Sequence, residues 1–382
     1  MTIAEVLSDE ELRQSEFPVT RNRVFLGHAA VCALPQRVAQ AVSDCAVGGT
    51  TEDQEAYVGQ LLYRTREIVA TAIGASLREI ALVGPTSLAL SFIADGLEFE
   101  AGDNVICYQD DYPSNVYPWM ALEAKGVEVR FVHPPQLGQI EPEHVLELVD
   151  DRTRLVALAS CHFISGWRID VDGIGRELRS RGVLFCVDAI QTVGAFPSSV
   201  EYVDFLAADA HKWMLGPCSA GILYVRHEIQ DRLKPRTFGW HNVECPDFIA
   251  QSDLKLKPDS RRYEAGTHNL VGMAGLKASL GMLQEVGIEN VSKELLRKRS
   301  FASKRLVEKG WHVIGAEAPD ERCGGMLSFY KSNTNLRAIH SKLAAENITV
   351  SLRKDRSQQN YLRISPHFYN TDEELERLLT FL

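Results

Sequence analysis

Short apolar runs rich in β-branched residues alternate with amphipathic stretches through the middle of the chain: IALVG then SLALSFIADGLEF, NVICYQ then VYPWMALEAKG, VEVRFVH, RLVALAS then DVDGIGRELRSRG, VLFCVDAI, FLAADAH and AGILYVR. Runs that are apolar throughout mark strands buried on both faces, and the helical periods between them supply the layers that cover those faces. The alternation predicts an α/β fold around a mostly parallel sheet, with any site at the strand C-terminal ends. Ile174 and Leu178 carry one helical period, and Gly182 is placed to end that helix as a C′ glycine.

Around residue 270 the texture changes to long helical stretches (VGMAGLKASLGMLQEVG, ENVSKELLRKRSFASKRLVEKG), then GGMLSFY, a helix near TNLRAIHSKLAAEN, ITVSL, YLRIS and an acidic closing helix. This pattern predicts a large domain over 25–270 and a smaller α+β domain over 271–382, after an N-terminal segment of residues 1–24. With 382 residues, 45% of them hydrophobic, the chain can bury a sizeable core. A net charge of −10 argues against general affinity for nucleic acid or an anionic membrane and leaves small-molecule chemistry as the better reading. No apolar run is long enough for a membrane span, so a cytoplasmic location is the default expectation. The eight cysteines form no CxxC pair and suggest neither a metal site nor a disulfide framework; Cys161 and Cys186, in apolar runs, read as buried fillers.

The passage VDAIQTVGAFPSSVEYVDFLAADAHKWMLGP sets Asp188 at one strand end and Lys212 just after another, so an acid and an amine can meet in one crevice. Pyridoxal 5′-phosphate (PLP) requires that pair: a lysine to hold its aldehyde and a carboxylate to keep the pyridine nitrogen protonated. A lone lysine is ordinarily a solvated surface residue, but Trp213, Met214 and Leu215 give Lys212 an apolar setting that lowers its pKa. In LVGPTSLAL, Thr86 and Ser87 open a helix whose N-terminus can hold a phosphate, although either could simply cap it. Tyr112, directly after a strand, is placed to stack on a flat ring, whereas Tyr117 and Trp119 read as core residues of the next helix. Arg363 in YLRIS invites a substrate carboxylate, with a salt bridge to a protein acid as the alternative. Trp240, in GWHNVECPDF, reads as packing its loop sooner than walling a substrate.

Together VDAIQ, ADAHKW, RRYEAGTHN and RISPHFYNT resemble the class V aminotransferase family of fold-type I PLP enzymes, which includes cysteine desulfurases, selenocysteine lyases and isopenicillin epimerase-like proteins. The likeness spans nearly the whole chain. It implies that Lys212 is the Schiff-base lysine, His211 a phosphate contact, Asp188 the pyridinium partner and Gln191 a donor to the ring hydroxyl oxygen. Thr86 and Ser87 match the phosphate turn, Arg363 the substrate carboxylate arginine, and His28 the N-terminal segment bordering the pocket. Thr267 matches the threonine that reaches the phosphate of a neighbouring subunit, which implies a homodimer.

Three departures bear on the reaction. The stretch ITVSLRKDRSQQNYLR lacks the nucleophilic cysteine that desulfurases carry there, Tyr112 stands where they place a stacking histidine, and Phe163 falls near a position that is polar in them. Asp209 replaces a phosphate-contacting serine and, as a carboxylate, is not assigned to phosphate. The expectation is an enzyme acting at the α-carbon of an amino acid, with transamination favoured and lyase chemistry (C–S, C–Se or other β-elimination) or epimerisation as alternatives.

Overall fold

The computed structural model describes residues 1–382 and centres on a seven-stranded sheet. Its order is Ile80–Val83, Gly221–Val225, Phe205–Asp209, Leu184–Asp188, Thr153–Ala159, Asn104–Cys107, Glu128–Phe131. All are parallel except Gly221–Val225, which runs antiparallel to both its neighbours. Successive side chains of a strand point to opposite faces, and here both faces are covered. Leu82, Ile106, Val156 and Val187 pack with the helices Gln54–Ile73, Val171–Ser180 and Leu270–Val286. Ala81, Val105, Leu155 and Cys186 pack instead with Thr86–Gly96 and Trp119.

Gly182 does end the helix Val171–Ser180, at φ 71°. The stretch after Val116 is less regular than its pattern predicts, with one α-turn over Tyr117–Met120 passing into a 3-10 turn over Ala121–Lys125. Gly126, at φ 80°, ends the stretch in a left-handed conformation. Trp119 is buried there as expected, but Tyr117 is 67% exposed, because so short a helix offers the core only one aromatic position.

A second, antiparallel sheet has the order Ser351–Lys354, Asn360–Ile364, Leu327–Tyr330, His312–Val313. It packs on Ile288–Glu308, Leu336–Ala345 and Asp372–Leu379 through Ala302, Leu306, Leu343, Leu375 and Leu378. The helix Leu270–Val286 places Leu276, Leu280 and Leu283 in the large-sheet core, so the passage to the smaller layer comes along Ile288–Glu308. The chain's beginning is tied to its end. Val24–Phe25 pairs in parallel with Ile348–Thr349, Arg13 meets Glu374 at 2.9 Å in a buried ion pair, and the Phe17 ring stacks on Tyr369 at 4.0 Å. No helix is long and apolar enough to cross a membrane.

Candidate active site

The parallel strands end on one side of the large sheet, and the second sheet leans over that edge. A pocket of about 310 Å³ lies between them. Asp188 closes its strand, Lys212 follows the strand Phe205–Asp209, Tyr112 follows Asn104–Cys107, and Arg363 enters from the smaller sheet. The sequence separates these residues widely. The strand-end rule for parallel sheets brings the first three together.

Lys212 is 7% exposed, and its amine makes no hydrogen bond to any protein group; its Nζ lies 5.3 Å from the centroid of the Tyr112 ring. Burial lowers its pKa to about 8, against the attraction of Asp188. Asp188 is buried as well. It accepts the Ile190 N–H at 3.1 Å, and burial raises its pKa while the Ile190 bond and the Lys212 charge pull it down. A second buried carboxylate, Asp111, was not singled out by sequence reasoning. It accepts the N–H of Tyr112 at 2.7 Å, the Asn115 amide at 3.0 Å and the Ala159 N–H at 3.2 Å, fixing the backbone that carries Tyr112. Burial, and then the charge of Asp188, push Asp111 up to about 7. Tyr112 is 47% exposed and sits edge-on to Phe163 at 5.4 Å, leaving ring surface open to the pocket.

The helix Thr86–Gly96 begins at the pocket wall. Pro85 occupies its N-cap without a side-chain cap, and Thr86 Oγ1 is buried with no partner. The capping alternative for the two hydroxyls is therefore not what the chain adopts, and the first N–H groups stay available for an anion. His211 lines the same pocket. Its Nδ1 lies 2.8 Å from Asp209 Oδ2, which makes Nδ1 the donor and leaves Nε2 as the ring's free polar atom. Asp209 also accepts the N–H groups of Ala210, Ser219 and Ala220 at 2.8 to 3.0 Å. The carboxylate is thus consumed behind the histidine, away from any phosphate. Gln191 also lines the pocket, with its Oε1 held by Trp213 Nε1 at 2.8 Å and one amide hydrogen given to Ala29 O at 3.2 Å.

Arg363 is 1% exposed and has no carboxylate partner, so the salt-bridge alternative is not realised. It donates to Phe163 O and, at 3.4 Å, to Ser351 Oγ, while its Nε is buried and unpaired. Arg353 lines the pocket beside it, a residue passed over in the sequence because nothing in SLRKDR tells which basic side chain turns inward.

Two expected positions fall outside the pocket. His28 is fully buried with both ring nitrogens engaged, Nδ1 at 2.8 Å from Ser365 O and Nε2 at 2.7 Å from Tyr369 OH, so it joins the N-terminal segment to the C-terminal one and cannot reach a ligand; the neighbouring Ala29 to Val31 form the wall. Thr267 lies in a separate concavity with Leu88 and Phe92, apart from Lys212 within one chain. Its loop is fixed by Glu264, which takes Arg66 at 2.6 Å, the Leu82 N–H at 2.8 Å and His268 at 3.0 Å, with His241 nearby. Trp240 does not line the pocket and sits against residues of its own loop, with its ring 5.1 Å from His241 and 5.4 Å from Phe248. It is 47% exposed and Phe248 is 71% exposed.

The family model described as aminotransferase class-V matches residues 24–378. The chain belongs to this family. It is 29% identical to a probable cysteine desulfurase of Methanothermobacter thermautotrophicus over 97% of this chain and 96% of that protein. It is 27% identical to the uncharacterized aminotransferase YcbU of Bacillus subtilis, again over 97% and 96%. Two solved structures of C-DES share the fold at TM-score 0.88: one has glycine covalently linked to its PLP cofactor (21% identity, 96% of this chain, 98% of that one), the other is the cystine C–S lyase with its product cysteine persulfide (22%, 95% and 98%).

The cofactor of this class-V enzyme is pyridoxal phosphate, and the pocket fits it on its own evidence. An unpartnered buried amine faces a buried carboxylate, an aromatic face lies beside the amine, and an uncapped helix start carries an orphaned hydroxyl. No cysteine lines the pocket. Cys161 is buried, with its thiol pushed up to about 12 by burial.

Proposed function

We propose that this protein is a PLP-dependent lyase that cleaves the Cβ–S bond of a sulfur amino acid without a protein thiol. The observation that carries the reading is the pocket itself, with Lys212, Asp188 and Arg363 arranged for α-carbon chemistry and no cysteine among the lining residues. The desulfurase and C–S lyase names of the relatives support sulfur chemistry, and the expectation of transamination gives way to it.

When bound, PLP supplies an electron sink for the charge left on Cα as its C–H bond breaks. Thr86, Ser87, the first N–H groups of their helix and His211 hold its phosphate; Asp188 holds the positive pyridine nitrogen; Tyr112 covers the ring. Gln191 has one amide hydrogen left for the ring oxygen. Arg363 binds the substrate α-carboxylate through a charge-assisted pair, which fixes the Cα–H bond relative to Lys212. The Lys212 amine, its pKa lowered by burial to about 8, takes the α-proton and can return it to the departing sulfur. With no thiol to capture the sulfur, it leaves as free thiol or sulfide. The overall change is substrate plus water giving thiol, pyruvate and ammonia.

Two copies of the chain complete each site in this reading, with Thr267 of one reaching the phosphate held by the other. Support comes from its place outside the pocket and from the exposed apolar side chains Leu88, Trp240, Phe248, Ile249 and Leu254. The domain limits at 24 and 270 belong to the same proposal.

The test incubates purified holoenzyme with cysteine, cystine and sulfur-free amino acids, with and without keto acids. Sulfide or persulfide with equimolar pyruvate and ammonia supports the lyase; amine exchange that depends on a keto acid, racemisation alone, or alanine with a persulfide on the protein each overturns it. Borohydride must trap the cofactor on the wild type and not on K212A.

A further inference from the structure

The pocket holds one guanidinium more than the α-carboxylate of an amino acid uses. In the smaller sheet Ser351 pairs with Arg363 and Arg353 pairs with Tyr361, so Arg353 stands two residues along from Ser351 on the same strand face and diagonal to Arg363. Both arginines line the cavity that contains Lys212. Arg353 is half-buried, its Nε is shut off from solvent without a partner, and it makes no hydrogen bond or ion pair.

The acids that could have neutralised it are committed elsewhere. Asp355 accepts from Tyr361 OH at 2.8 Å and from Ser357 and the Gln359 N–H, Asp110 is paired with Arg356, and Asp188 faces Lys212. Burial, followed by the charge of Arg353, presses the Arg363 pKa downward. An arginine does not release its proton under such pressure, so the repulsion persists until anions arrive. A half-buried guanidinium whose Nε is sheltered without a partner is costly, and a site that keeps one is built for a ligand that pairs it.

We propose that Arg353 is a specificity-determining residue that binds a second anionic group, at the end of the substrate side chain, so that the preferred substrates are sulfur amino acids ending in a carboxylate or comparable oxyanion. This rests on reading the pocket as an amino-acid site, with Arg363 taking the α-carboxylate.

The test compares S-carboxymethyl-L-cysteine with its amide, S-carbamoylmethyl-L-cysteine, which matches it in size and lacks only the distal charge. Affinity is read on holoenzyme from the change in cofactor absorbance, and thiol release is followed separately. Wild type binds the acid about ten- to a hundredfold more tightly than the amide, from one charge-assisted pair in a sheltered site. In R353Q the acid-to-amide ratio falls close to one, and R353K restores part of it. Equal affinities in the wild type overturn the proposal. So does an R353Q variant that weakens both ligands by the same factor, since Arg353 then shares the α-carboxylate. A clear acid preference in binding without thiol release leaves the second anion site standing and refutes the lyase reading instead.

Discussion

Replacing Lys212 by methionine shortens the side chain by one atom and removes its charge, and in the protein freed of cofactor this change stabilises the fold. The cause is burial: the folded chain lowers the lysine from an ordinary 10.5 to about 8. At roughly 1.4 kcal/mol per pH unit, holding the charged amine in place costs the fold about 3 kcal/mol at neutral pH. Part of that gain is lost in K212M because Asp188 surrenders its nearest cation, leaving a net stabilisation of roughly 1–3 kcal/mol. The sign with pH follows from proton counts. Between pH 8 and 10.5 the unfolded chain holds the Lys212 proton and the folded chain does not, so wild-type stability rises with pH through this window relative to K212M. Denaturant titration of both cofactor-free proteins at pH 7, 9 and 10.5 measures it. A difference that does not shrink as pH rises, or a wild type more stable than K212M at pH 7, refutes the argument that this lysine is a strained, desolvated amine.

Two further outcomes follow from contacts behind the pocket. D209N puts an amide where His211 and three backbone N–H groups all donate, leaving at least one donor unmatched; it lowers stability by roughly 1–3 kcal/mol and weakens cofactor binding by about tenfold. Calorimetry with a cofactor titration checks both, and unaltered cofactor affinity would show that His211 needs no such support. F17A empties a site stacked on Tyr369 and edge-on to Phe368, with an expected loss of about 3–5 kcal/mol in denaturant unfolding; a loss below 1 kcal/mol would mean that the N-terminal segment is not part of the cooperative fold.

How much could be read in advance divides along physical lines. Local chemistry carries far. Both-face-apolar runs specify buried parallel strands, the glycine after Arg181 specifies a helix end, and VDAIQ with ADAHKW puts Asp188 and Lys212 at neighbouring strand ends. Family motifs carry Thr86, Tyr112, Gln191 and Arg363 to positions that all line one pocket. His28 shows the limit, for its motif neighbourhood is right while its ring turns inward to Ser365 and Tyr369, partners more than 300 residues away.

The sequence by itself determined the large α/β architecture, the lysine–aspartate pair and the lack of a loop cysteine, because each depends on periodicity or on residues close along the chain. Only the tertiary structure decided that Asp209 is spent on His211, that Asp111 supports Tyr112, and that Arg353 joins Arg363. The first two are contacts between near neighbours whose direction is set by groups farther along the chain, the Ser219 and Ala220 N–H groups on Asp209 and the Ala159 N–H on Asp111; the third depends on strand register, where a slip of one residue turns a side chain to the opposite face.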